Sequence, residues 1–243
     1  MKIWAHRGCS RMCPENTLMA FERAAALPGL TGIELDIQLT RDGHMVVCHD
    51  ERVDRTTDGA GELRSFSLSE LKRLKIDAEN GQYERIPTIE EVLDVLEKCL
   101  KNGLMLNIEL KNSVVSYEGM EESIISLIHS RGLQNCVVYS SFCALSLERL
   151  RSLDADAQIG ILDRNASDCL YKLQGGCGAT AIHPNWGGID LPAERMAGYT
   201  VRAWAGGRLF PEKATGGRLD LNALEQKGIT DVFLNEPERY VKA

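Results

Sequence analysis

The sequence predicts an α/β fold, a closed (β/α)8 barrel, on three observations. Short β-branched runs alternate with amphipathic helical patterns along the chain, and such alternation implies a parallel sheet. The 243 residues hold eight or so strand–helix units, the usual content of one barrel of about 250 residues. No linker rich in Pro, Gly and Ser and no internal repeat divides the chain, so residues 1–243 read as one domain.

Each element has a local reason. Strand candidates are the apolar runs at residues 3–6, 32–38, 45–48, 105–109, 137–140, 158–162, 179–183, 200–204 and 229–234. Residues 17–27 carry Leu18, Phe21, Ala24 and Ala25 at helical spacing. Ser67 and Glu70 form a capping box that opens a short helix with Leu68, Leu71 and Leu74. Thr88 and Glu91 form a second box after Pro87 and open a helix running to about Lys101. Further helices are expected at 117–131, 145–152 and 221–227.

Nine strands are one too many for this barrel. The second and third runs are joined only by Arg41-Asp42-Gly43-His44, whereas a parallel crossover needs about a dozen residues. Asp-Gly is a hairpin turn, because glycine tolerates positive φ. A two-residue turn at Asp42 and Gly43 sets Arg41 opposite His44 and His49 opposite Asp36. Opposed residues share a face, so an imidazole is expected beside a carboxylate.

Composition narrows the function. An apolar fraction of 44% and a charged fraction of 26% exclude a disordered chain, a collagen and a coiled coil. The net charge of −7 argues against non-specific binding to nucleic acid or anionic membrane, which need a basic surface. No run of about 18 apolar residues is present to span a bilayer. The chain enters a strand-like run at once without a signal-peptide pattern, so a cytoplasmic location is expected. The eight cysteines then read as thiols, and none forms a Cys-x-x-Cys pair.

Polar residues cluster where strands end. His6-Arg7-Gly8 closes the first strand. Glu34 and Asp36 share one face of the second by the period of two, while Ile33, Leu35 and Ile37 form its apolar face. His49-Asp50 follows the hairpin, and Glu109 and Lys111 again lie two apart. The strand C-termini of a barrel open at one mouth, so these groups should converge there. Carboxylates that close repel unless protons or a cation neutralise them. An all-oxygen donor set favours a hard ion, Mg2+ or Ca2+, over Zn2+. Such an ion beside Arg7 and Lys111 suits a phosphate ester, whose transition state gains charge. Two histidines can supply its base and acid. His44 and His129 read as surface residues.

These residues resemble the glycerophosphodiester phosphodiesterase family. The similarity rests on His6-Arg7-Gly8, Pro14-Glu15-Asn16-Thr17, Glu34-Leu35-Asp36-Ile37, Asp42-Gly43, Val46-Val47-Cys48-His49-Asp50, Arg55-Thr56-Thr57-Asp58-Gly59 and Ile108-Glu109-Leu110-Lys111, in that order. It continues more loosely through Ser140-Ser141-Phe142, Trp204 and Thr230 to Pro237. The resemblance implies a phosphatidylinositol-phospholipase-like TIM barrel that hydrolyses a glycerophosphodiester to glycerol 3-phosphate and an alcohol. It implies Glu34, Asp36 and Glu109 as ligands of one Mg2+ or Ca2+, and His6 and His49 as general acid and base. Arg7 and Lys111 would hold the phosphate. It also implies a route in which a substrate hydroxyl attacks and water then opens a cyclic phosphate. A small insertion at about 50–87 would cover the mouth.

Phe142 and Trp204, at strand ends, are candidates for an apolar wall against the glycerol carbons. His183 ends another strand and is a candidate substrate contact. The family pattern weakens after Trp204, where a stretch with four glycines runs to Gly217; it reads either as a loop over the mouth or as a solvated connection. Two other readings remain. A lysophospholipase D-type enzyme needs an apolar anchor, and no amphipathic basic segment supplies one. A non-catalytic barrel that binds a phosphate ligand is opposed by the presence of both histidines and all three carboxylates.

Overall fold

In the computed structural model, which describes residues 1–78, 81–204 and 218–241, eight parallel strands close into a ring. The strands are β1 (Lys2–His6), β2 (Gly32–Leu39), β3 (Met45–Val47), β4 (Ile76–Asp77), β5 (Tyr83–Glu84), β6 (Met105–Leu110), β7 (Val137–Ser141), β8 (Gln158–Asp163), β9 (Ala181–Pro184), β10 (Thr200–Trp204) and β11 (Asp231–Leu234). The ring runs β1-β2-β6-β7-β8-β9-β10-β11, and β1 closes it by pairing with both β2 and β11. β3 hangs antiparallel on β2, so the surplus strand is a hairpin as expected. The helices are α1 (Leu18–Ala25), α2 (Leu68–Leu71), α3 (Ile89–Lys101), α4 (Met120–Ser130), α5 (Ala144–Leu153), α6 (Ala166–Gln174), α7 (Ala193–Met196) and α8 (Leu221–Gln226). This is a TIM-type barrel.

Alternation along the strands divides two kinds of interior. Ile33, Leu35 and Ile37 of β2 face outward into the main apolar core, with Phe21 of α1 and Leu93 and Leu96 of α3. The opposite set points into the barrel. Register pairs Trp4 with Gly32, His6 with Glu34, Glu34 with Asn107, Asp36 with Glu109, and Leu162 with His183. Side chains in one such row share a face. Gly32 is needed here, because a Cβ would lie 2.4 Å from the Trp4 ring. Trp4 donates its indole N–H to Asp231 Oδ1 at 2.8 Å, and the Arg202 guanidinium stacks over the Trp4 ring at 5.4 Å.

Both capping boxes are present, at Ser67/Glu70 and Thr88/Glu91. Thr17 caps α1 by accepting the Ala20 N–H. The hairpin departs from the expected register by one residue. Ile37 pairs with Val47, Gln38 with Val46 and Leu39 with Met45. The loop between Thr40 and His44 therefore holds Arg41, Asp42 and Gly43, closed by Thr40 N–H donating to the His44 carbonyl at 3.0 Å. Gly43 sits at φ 81, the left-handed position that a three-residue hairpin loop requires. Asp36 thus faces Cys48, whose N–H donates to the Asp36 carbonyl at 3.0 Å, and does not face His49. β3 ends at Val47, so His49 is released from strand alternation and reaches the mouth through the turn that follows.

Between β3 and α3 the chain builds a small layer of its own. α2 and the two-stranded β4–β5 sheet enclose Val53, Leu63, Leu71, Ile76 and Ile86 against Val46 and Cys48. β4, β5, α6 and α7 were not expected, because two-residue strands and polar-flanked helices leave little periodicity to read. The glycine-rich stretch expected as a loop at 205–217 lies outside the described residues. Among the described residues no helix is long and apolar enough to cross a membrane.

Candidate active site

Neighbouring strands bring the carboxylates together. Glu34, Asp36 and Glu109 are buried, and one oxygen from each lies within 4.8 Å of the others. Oxygen ligands sit about 2.0–2.6 Å from Mg2+ or Ca2+, so two ligands of one ion are at most about 5 Å apart. The trio fits that limit. Asp36 Oδ1 is buried without a hydrogen-bond partner, and a cation at the trio would coordinate it.

The second oxygens are held by the β1–α1 loop. Arg7 N–H donates to Glu34 Oε2 at 2.9 Å. Asn16 Nδ2 donates to Asp36 Oδ2 at 2.9 Å. Arg7 and Asn16 both take left-handed backbone, at φ 56 and φ 57, an uncommon conformation for residues with a Cβ. The loop thus turns sharply enough off β1 to aim an amide and a side chain back at β2. Strain of this kind gathers at functional sites.

Burial and the Asp36 charge push the Glu34 carboxyl well above the usual range. Burial also raises Glu109 despite nearby Lys111. Burial acts on Asp36 in the same sense, but His49, Arg7 and Lys111 outweigh it and hold Asp36 below the ordinary range. Lys111 Nζ lies 2.9 Å from Glu109 Oε1 and 3.9 Å from Asp36 Oδ1. Those carboxylates more than offset its burial and keep it protonated. Arg7 reaches Glu15 at 2.8 Å and Asp36 at 3.4 Å.

The imidazoles are each oriented by one partner. His6 Nδ1 lies 2.7 Å from Asn235 Oδ1, an acceptor that fixes the proton on Nδ1 and leaves a lone pair on Nε2. Burial and the Arg7 charge lower its pKa to about 3, so the ring is neutral. His49 Nδ1 lies 2.6 Å from Asp50 Oδ1. Asp50 is itself gripped by Arg55, which also makes a paired contact with Glu15 at 2.7 and 2.9 Å. Arg55 therefore joins the inserted layer to the loop that carries Arg7, a connection its turn-like sequence context did not announce.

All of this opens into a cavity of about 320 Å3. Its lining combines the charged and imidazole groups of His6, Arg7, Glu34, His49 and Glu109 with the apolar Phe142, Leu162, Trp204 and Phe233 and the polar Asn107, Ser140 and His183. Phe142 and Trp204 meet edge to face at 6.1 Å, and the Trp204 indole donates to the His183 carbonyl at 2.9 Å. Asp36 and Lys111 adjoin this lining through Glu109, which Lys111 Nζ contacts at 2.9 Å. Every residue singled out from the sequence thus belongs to this one constellation. Sequence reasoning assigned no role to Asn107, Phe233, Asn235 or Arg55. Asn107 was within reach, since it precedes Glu109 by two on the same strand; Asn235 was not, because only closure of the barrel sets it beside His6.

A TIM barrel with a carboxylate trio and two oriented imidazoles around one mouth cavity has the construction of an enzyme. The model of the Glycerophosphoryl diester phosphodiesterase family matches residues 6–169, and the chain belongs to that family of phosphodiesterases. It is 36% identical over 242 residues to a glycerophosphodiester phosphodiesterase of Caldanaerobacter subterraneus, covering 98% of this chain and 96% of that one. It is 33% identical over 249 residues to one of Bacillus altitudinis, covering 99% and 97%. Among solved structures, an Oleispira antarctica phosphodiesterase in complex with the product sn-glycerol-3-phosphate superposes with a TM-score of 0.76 at 26% identity, covering 98% of this chain and 94% of that one.

Proposed function

We propose that residues 1–243 act as one metal-dependent hydrolase that converts a glycerophosphodiester to glycerol 3-phosphate and an alcohol. One arrangement carries the reading: three carboxylate oxygens within 4.8 Å of one another, on the same cavity as two imidazoles whose Nδ1 atoms are already engaged. Glu34, Asp36 and Glu109 hold one Mg2+ or Ca2+. When bound, that ion supplies positive charge to the phosphoryl oxygens as they gain charge in the transition state. Arg7 and Lys111 add to the same field and orient the phosphate.

His6 offers a lone pair at Nε2 and is neutral, so it takes the proton from the attacking hydroxyl. That hydroxyl is the glycerol 2-hydroxyl, and its attack on phosphorus breaks the bond to the leaving oxygen. His49, held at Nδ1 by Asp50 at 2.6 Å, gives the leaving oxygen its proton from Nε2. The roles then reverse as water opens the cyclic phosphate. Phe142 and Trp204 cover the carbon face of the substrate.

The test is a divalent-metal screen on glycerophosphocholine, glycerophosphoethanolamine, glycerophosphoinositol and a lysophospholipid. Activity on the first three that EDTA abolishes and Mg2+ or Ca2+ restores is expected. Metal-independent turnover, or turnover of the lysophospholipid alone, would overturn the reading.

A further inference from the structure

Two buried polar side chains on the cavity have hydrogen-bonding capacity that the fold does not use. His183 is fully buried, and its Nδ1 has no partner. Its Nε2 lies 3.4 Å from Arg202 Nη1. A guanidinium only donates, so Nε2 must accept and the ring proton must reside on Nδ1. His183 therefore presents a neutral N–H donor. Burial and the Arg202 charge hold its pKa well below the ordinary value, so it does not become a cation.

Asn107 is 1% exposed and makes one side-chain bond, to Ser140 Oγ at 2.9 Å. A hydroxyl both donates and accepts, so whichever way the amide is turned, one of its polar atoms is left over. The recorded orphan is Oδ1.

Orphan groups this deep are costly unless something occupies them. The fold also makes room for one of them deliberately. Gly160 of β8 lies under the His183 ring, where a Cβ would come within 2.2 Å of Nε2. Phe233 packs edge-on against the same ring at 5.6 Å. Phe142, Leu162 and Trp204 of the same cavity are apolar, while Asn107 pairs in register with Glu34. A group that satisfies both orphans offers hydroxyls able to accept from His183 and pair with Asn107, and has carbon to set against the apolar side chains. A quaternary ammonium can lie against the aromatic rings, but it offers no hydroxyl to His183 or Asn107.

We propose that His183 and Asn107 form a polyol subsite that recognises the terminal hydroxyl of the glycerol unit, leaving the alcohol group outside it. The inference rests on the phosphodiesterase reading and refines it by assigning one half of the diester to these side chains. It also sets a selection: an acyl chain on that hydroxyl replaces its proton with a bulky ester. Deacylated diesters are accepted and lysophospholipids are disfavoured.

The test compares glycerophosphocholine with propane-1,2-diol phosphocholine, which keeps the attacking hydroxyl and lacks the terminal one. Loss of a partner for a buried donor corresponds to about 5- to 150-fold, so wild-type kcat/KM should fall by that factor on the deoxy substrate. His183→Leu and Asn107→Leu should bring the two substrates close together, by lowering turnover of the glycerol compound alone. His183→Asn, whose amide nitrogen can replace Nδ1, should restore most of the discrimination. Exchanging choline for ethanolamine should leave the ratio unchanged. Equal losses on both substrates in the Leu variants, or a wild-type ratio near one, would overturn the subsite.

A second readout separates this from the activity itself. Calorimetric titration of the Mg2+- or Ca2+-loaded protein with sn-glycerol 3-phosphate and with propane-1,2-diol phosphate should show the same preference even if no diester is turned over. Absence of that preference would refute the subsite, while its presence without turnover would refute only the reaction.

Discussion

Replacing Glu34 with Gln separates electrostatics from shape in the carboxylate trio. The amide keeps an oxygen to accept the Arg7 N–H, which now binds Glu34 at 2.9 Å, and removes one charge. Two unit charges 4.8 Å apart repel by about 3.5 kcal/mol at an effective dielectric of about 20. Glu34 faces two such neighbours, but Arg7, Lys111 and partial protonation offset most of this. The net relief should be about 1–3 kcal/mol. For a chain of this length that is a gain of about 2–12 °C in Tm of the metal-free protein. The metal response should move the other way. An ion at about 100 times its Kd stabilises wild type by about 2.7 kcal/mol, and the variant should need at least about tenfold more ion for the same gain, given one charged ligand fewer.

Scanning calorimetry with EDTA, and then over a range of Mg2+ or Ca2+, reads both effects. The pH dependence adds a sign. The pKa of Glu34 is raised in the folded, metal-free protein. Its contribution is therefore full below the unfolded carboxylate pKa and is lost as pH rises through the folded one. Wild type should lose that increment on raising pH, and Glu34→Gln should not. A metal-free variant that melts below wild type, together with an unchanged metal-induced shift, would refute the assignment of Glu34 to a cation site.

Other outcomes are expected at single positions. His49→Ala should lower kcat about 10²–10⁴-fold on glycerophosphocholine, and far less on a p-nitrophenyl diester whose leaving group needs no acid; a loss under tenfold on both would remove it from proton transfer. Arg55→Ala breaks the contacts to Glu15 and Asp50; because Arg55 is about half exposed, stability should change by under about 1 kcal/mol, whereas kcat should fall by about tenfold or more through the loosened Asp50–His49 pair. A matching loss in Tm with kcat intact would show a strap of purely structural value. Gly160→Ala puts a Cβ 2.2 Å from His183 Nε2 and should cost about 1–3 kcal/mol while raising KM for glycerol substrates; wild-type stability and KM would contradict the packing described for that ring.

The hairpin shows how a sequence argument can reach the right neighbourhood by a wrong path. Asp42-Gly43 does mark a turn, because only glycine takes the left-handed backbone cheaply. It does not say whether the loop has two residues or three. That one-residue difference flips every later side chain to the other face, and His49 would have been lost had β3 continued past Val47. His49 reaches the mouth because the chain leaves the sheet first. Asp50 and Arg55 follow the same logic: their proximity depends on how the inserted layer folds over the barrel.

Period-two alternation was enough to put Glu34 with Asp36 and Glu109 with Lys111 on single faces, since a strand's geometry is local. Alternating strand and helix were enough for a barrel whose strand ends share a mouth, and capping boxes fixed two helix starts, because those depend on residues three apart. The carboxylate trio and both histidines were therefore written in short stretches of chain. What the chain order does not hold is which strand lies beside which at the closure, and how far each is sheared along its neighbour. Those set His6 on Asn235, 229 residues away, put Arg202 against His183 so that a tautomer is chosen, and let Gly160 admit the ring. Such contacts join distant segments, and only packing of the whole barrel gives them a distance.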